Sequence, residues 1–173
     1  MGYVTDSLLE LISANKELPF APSWTTEAGR EFSQLVSPVD VDGLTIQGAR
    51  FGAKAHIYRH DQCVSFRLDT IIPEMSGKYT PLIRFDWLPG AAHNNAGRGP
   101  EHLKFQQFDC SHIHTYEWNW KAGKPLKGNM PIAVPIDELL LNYQDALAYT
   151  EKLFRIKGVA GLPIPPWTSK LVP

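Results

Sequence analysis

The chain has 173 residues, 43% of them hydrophobic, a formal charge of -1 and two cysteines. That length predicts one domain with a real core, and the near-neutral charge excludes a global basic field drawing it to nucleic acid or anionic lipid. Cys63 and Cys110 are too few for a disulfide framework, no stretch approaches the roughly 18 apolar residues of a membrane span, and the acidic N-terminus lacks a signal peptide's basic start, so a cytoplasmic protein without a membrane partner is expected.

In chain order, "DSLLELISANKEL" places Leu8, Leu11 and Ile12 on one helical face behind a cap at Asp6 or Ser7. Pro19 and Pro22 break that helix. "TTEAGREFSQLV" predicts a second short helix, capped by Thr25 or Thr26 and ended by Pro38. From Val39 the period changes to two. "GLTIQGARFGAKAHIYRH" reads as one long strand or two shorter ones, and His60-Asp61-Gln62 as a turn into "DQCVSFRLDTII". There Val64, Phe66 and Leu68 face one way, and Ser65, Arg67 and Asp69 the other. "PLIRFDWLP" sets Ile83, Phe85 and Trp87 against Arg84 and Asp86.

A long Gly/Pro/Asn-rich loop, "PGAAHNNAGRGPEH", follows; loops of that length are often functional. "LKFQQF" and "SHIHTYEWNW" read as two further strands. "PIDELLLNYQDALAYTEKLFRI" is the clearest helix, with Asp137 as cap and Gly158 as stop. The expected class is α+β: an antiparallel meander of about five strands, N-terminal helices, and one long C-terminal helix packed on the sheet. Residues 1–158 form the domain, and 159–173 an extended proline-rich tail.

Four of the six histidines (His93, His102, His112, His114) lie between residues 93 and 114. On a strand, His112 and His114 project from one face, and Arg67, Asp69, Arg84 and Asp86 join them if the neighbouring strands present their polar faces alike. Three interpretations remain open. A divalent metal ion would use His112 and His114 with His93, His102 or a carboxylate. Metal-free acid–base chemistry would use His112 and His114 as the proton-transfer groups, with Arg84 binding an oxyanion. Otherwise the imidazoles tie the long loop to the sheet. Tyr116, Trp118 and Trp120 are expected to continue the histidine face.

The stretch from Pro81 to about Lys157, through "LIRFDWLPGAAHNN", "SHIHTYEW" and "PIAVPI", resembles an uncharacterised family of small bacterial proteins. In these, a strand ending Arg-aromatic-Asp leads through a His-Asn loop to His-x-His-x-Tyr. It is more distantly similar to small toxins of toxin–antitoxin modules. The resemblance marks Arg84, Asp86, His93, Asn94, His112, His114 and Tyr116, and implies a toxin, defence or anti-defence role. The longer loop carrying His102 departs from the pattern.

Two functions follow. One is a nuclease- or phosphodiesterase-like enzyme acting on nucleic acid or a nucleotide. Arg84 would bind phosphate, Asp86 would orient an imidazole, and Arg67, His93, Asn94 and Tyr116 would contact substrate. The metal, where used, would sit on His112, His114 and His102. The alternative is a non-enzymatic binding or inhibitor protein, gripping a protein partner through the aromatic row and the proline-rich tail.

Overall fold

The computed structural model describes residues 2–72, 77–127 and 129–168, with side chains from residue 6 onward. Helix α1 (Gly2–Ser13) opens the chain. Its C-terminal carbonyls at Leu11, Ile12 and Ala14 accept from Lys16 Nζ at 2.8, 3.2 and 2.7 Å, so a lysine in β1 (Lys16–Glu17) closes the helix end.

The expected second helix does not form. Thr25–Thr26 (β2) pairs with the start of a ten-residue strand, β3 (Phe32–Val41). Ser33, Leu35, Ser37 and Val39 alternate inward along β3. Two of those buried sites carry serine, which hides a period of two from any count of apolar residues. Pro38 is tolerated because the register against the next strand shifts between Pro38 and Asp40.

The expected strands β4 (Leu44–His56), β5 (Val64–Ile71) and β6 (Tyr79–Trp87) pair antiparallel in sequence, and β3, in place of the expected helix, extends this meander on β4. The long loop folds back as a small hairpin, β7 (His93–Asn94) with β8 (Gln107–Phe108). Strand β9 (His112–His114) then lies along the free edge of β6. It stops at His114. Residues Tyr116–Asn119 turn as a short helix, α2, and a hairpin of β10 (Trp120–Lys121) with β11 (Lys124–Pro125) follows. The expected strand through Trp120 is therefore cut short, and the aromatic row does not exist: Tyr116 stacks on Trp120 at 5.1 Å and packs against the core.

Strand β12 (Val134–Pro135) pairs with β9, and β13 (Ile156–Lys157) runs parallel to β1 at the opposite edge. Among the described residues the main sheet holds nine strands in mixed pairing, in the order β12-β9-β6-β5-β4-β3-β1-β13 with β2 beside β3. The class is α+β with a larger sheet than about five strands.

Helix α3 (Tyr143–Phe154) begins five residues later than expected, because Asn142, not Asp137, caps it by accepting from Asp145 N–H at 3.0 Å. Arg155, at φ 54°, ends it before Gly158. Its face of Tyr143, Ala146, Leu147 and Phe154 lies on the sheet face of Phe51, Phe66, Phe85 and Trp87, with ring contacts such as Phe66–Tyr143 at 6.3 Å and Phe51–Phe154 at 6.2 Å.

Residues 162–168 are extended and lie against the same core. Val159 and Leu162 are buried, Trp167 packs on the core, and Pro163 O accepts from Trp24 Nε1 at 2.8 Å and Tyr143 Oη at 3.3 Å. As far as Thr168 this segment runs along the core instead of standing free of it; residues 169–173 lie outside the described residues. No helix among the described residues is long and apolar enough to cross a membrane.

Candidate functional site

Strand pairing brings the expected residues together. In register across the sheet, His112 lies beside Asp86, Asp86 beside Ser65, and Ser65 beside Lys54. The next row runs His114, Arg84, Arg67, Gly52. Since residues two apart on a strand share a face, both rows point away from α3.

Three side chains meet at one oxygen. Asp86 Oδ2 is 3.3 Å from His112 Nε2, 3.2 Å from His114 Nε2 and 3.0 Å from Arg84 Nε. Arg84 also donates Nη1 to Asn129 O at 3.0 Å and meets His114 Nε2 with Nη2 at 2.6 Å.

Hydrogen-bond partners assign the ring protons. His112 Nδ1 is 2.9 Å from Cys110 O, a pure acceptor, so Nδ1 carries hydrogen and Nε2 is the nitrogen turned to Asp86. A guanidinium only donates, so His114 Nε2 accepts from Arg84. One nitrogen cannot also donate to Asp86, and the shorter contact decides. His93 Nε2 lies 3.0 Å from Asn95 Oδ1 and 3.2 Å from Pro131 O. The Asn95 amide is oriented by its own bonds, Nδ2 to Leu103 O and Ala133 O at 3.1 Å each and Oδ1 from Ala133 N at 2.8 Å, so His93 donates and keeps Nδ1 as a lone pair.

Burial shapes the charges. It lowers His114 to about 4 against the pull of Asp86, with Arg84 and His112 acting in the same direction as burial. Burial, then His112, also lowers His93. At neutral pH both are uncharged, the form that offers a lone pair to a metal. For Asp86 burial works upward, but the polar contacts of His112 and His114 and the charge of Arg84 overcome it and hold the carboxyl well below its usual range.

Arg84 contacts both His114 Nε2 at 2.6 Å and Asp86 Oδ2 at 3.0 Å, so a metal ion bound among the imidazoles would displace the guanidinium from His114. Nitrogens of His93, His112 and His114 lie within 4.8 Å of one another, a set that can hold a metal ion. The imidazole–Asp86 separations of 3.2 and 3.3 Å match the edge, about 3.3 Å, of a tetrahedron with zinc-like bonds of 2.0–2.1 Å. His93 stands slightly farther out, so an ion would draw it inward. The outer contacts, Cys110 O on His112 and Asn95 on His93, are of the kind that orient ligating imidazoles.

Access comes from one side. His112 and His114 are 2% and 0% exposed, under His93 and Phe108, whose rings stand 5.1 and 5.3 Å from His112. So little exposed surface favours a holding role for the two imidazoles over direct contact with a substrate. Arg84 and Asp86 do reach the surface, in a cavity of about 390 Å³ lined also by Lys54, Ser65, Arg67 and Asn129.

The remaining expected residues divide. Arg67 lines the cavity. His93 closes the histidine set, whereas His102 is exposed and outside it, so the group that could hold a metal ion among the described residues is His93, His112 and His114. Asn94, expected to contact substrate, is exposed with its Oδ1 accepting from Ala96 N at 2.6 Å, and its buried neighbour Asn95 orients His93. Tyr116 faces the core, away from any substrate position. Lys54 and Asn95 were not singled out by sequence. Lys54 had a signal, since it alternates with Ala53 and Ala55 in "GAKAH"; nothing local prefers Asn95 to Asn94.

Fold and site together define a mixed α+β protein with a three-histidine, one-carboxylate cluster beside a cationic cavity. Comparison with protein-family models, with curated proteins and with solved structures finds no match.

Proposed function

We propose that the protein is a metal-dependent phosphoester hydrolase. The observation that carries this is the adjacency of two features: a group of His93, His112 and His114 that could hold a metal ion, with Asp86 against it, and a cavity lined by Arg84, Arg67 and Lys54. Imidazole with carboxylate suits zinc among the hydrolytic metals, and a bound ion there supplies Lewis acidity. The three cations hold the phosphoryl oxygens and offset the charge that grows on them. A water oxygen forms the new bond to phosphorus, the ester P–O bond breaks, and the water's proton passes to the departing alkoxide. Asp86, pinned by Arg84, aligns the imidazoles instead of serving as base, because so weakly basic a carboxylate takes a proton poorly.

The test is metal analysis of the purified protein, followed by phosphate release from glycerol phosphate and cleavage of labelled RNA and DNA with zinc and with chelator. Near-stoichiometric metal and chelator-sensitive turnover are expected, both lost in His112→Ala/His114→Ala. A folded protein that takes up no zinc, nickel or iron overturns the proposal.

A further inference from the structure

A second recess, of about 290 Å³, adjoins the cationic cavity and shares Lys54, Ser65 and Asp86 with it. Its other walls are apolar: Phe32, Val64, Pro89 and Ala91, with Gly90 and Cys63 at the base. The two form one depression, cationic at one end and apolar at the other. Lys54 stands at the junction. Its ammonium lies 4.2 Å over the Phe32 ring and has no carboxylate partner among the described residues.

We infer that this depression takes a mononucleotide, its phosphate among Arg84, Arg67 and Lys54 and its base in the recess beside Phe32. The inference rests on the hydrolytic reading for its chemistry and adds the identity of the group that carries the phosphate. Three observations support it. Each recess is near the lower end of the roughly 300–1,000 Å³ typical of small-molecule sites, which suits one nucleotide better than a polymer. Charge complementarity sets the orientation: three cations at one end demand the anionic head there, and the apolar walls accept a flat ring. Finally, Phe32 is 40% exposed with the Lys54 ammonium over its ring, so an aromatic surface open in part to solvent and a cation stand together, the pairing of functions by which bases are held through stacking.

The experiment measures calorimetric binding of AMP, adenosine and inorganic phosphate to the zinc-loaded full chain, and of a ten-residue oligoadenylate. AMP is expected to bind at least about tenfold tighter than either adenosine or phosphate, the scale of one base-stacking contact. Arg67→Ala weakens AMP and phosphate alike, whereas Phe32→Ala removes most of the AMP preference over phosphate; melting curves check that both variants fold. AMP binding no tighter than phosphate, or unchanged in Phe32→Ala, overturns the inference, as does a preference for the oligonucleotide. Turnover of glycerol phosphate separates the two readings. Hydrolysis without AMP preference leaves the hydrolase and removes the nucleotide; AMP preference without turnover of any ester leaves the nucleotide site and removes the hydrolase.

Discussion

The polar face of the sheet carries two buried carboxylates, and their surroundings differ in one respect. Asp69 meets Arg50 Nε at 3.1 Å and Arg67 Nη2 at 3.4 Å, and its other oxygen, Oδ1, has no hydrogen-bond partner. Asp86 meets Arg84 at 3.0 Å and, in addition, two imidazoles. Carboxylate and guanidinium are complementary acceptor and donor, and the two arginines satisfy Asp69 Oδ2 while Oδ1 stays without a partner. The imidazoles beside Asp86 bring two further nitrogens to its Oδ2, a convergence that a bound metal ion can use. The lesson is that a buried acid with arginine is an ordinary structural pair, and the convergence of further acceptors is what marks a site.

The largest effect that sharpens this contrast is metal removal. With free metal at a thousandfold its dissociation constant, binding adds about 4 kcal/mol. For a chain of this length that corresponds to a melting temperature about 8–16 °C higher with zinc than with chelator. An unchanged melting curve would make the Asp86 cluster as structural as the Asp69 pair.

Next is pH dependence of the metal-free protein. The folded pKa of His114 lies near 4, below its unfolded value, so between pH 6.5 and 4 the unfolded chain takes up the proton first. Stability therefore falls with acid across that window, by roughly 3 kcal/mol for a shift of this size. The depressed Asp86 adds the same sign lower down, its contribution present above the unfolded carboxyl pKa and lost as pH falls through the folded one. Urea titrations at pH 7 and pH 4.5 test this, and His114→Gln should flatten the difference.

Asn95→Ala frees His93 from its orienting bond and is expected to weaken zinc binding by about 10–100-fold while leaving His112 and His114 in place. Competition with a colorimetric chelator measures it. The smallest change is Asp69→Asn, which keeps an acceptor for the partly exposed Arg50 and Arg67. A cost of about 1 kcal/mol is expected, with zinc content and turnover unchanged. Loss of zinc in this variant would erase the distinction between the two carboxylates.

What the sequence determined by itself is a matter of period. Alternation in "IRFDW" and "HIH" fixes Arg84, Asp86, His112 and His114 to the polar side of their strands, because successive side chains of a strand point oppositely whatever the partner. The apolar partners Phe66, Phe85 and Trp87 were legible for the same reason, as was the meander they belong to. Elsewhere the local signal misled: serine at buried positions 33 and 37 concealed a strand, and Leu139 and Leu141, 83% and 72% exposed, lengthened a helix that starts only at the Asn142 cap.

Only the tertiary structure decided which histidine completes the set. His93 and His102 stand in one loop with equal claim by residue type, and the β7–β8 hairpin turns the first over the sheet while leaving the second outside. The same holds for Asn95 over Asn94, for the end of β9 at His114, and for Trp167 lying on the core. Each depends on where a loop closes against elements distant in the chain, and a spacing rule between near neighbours carries no information about that closure.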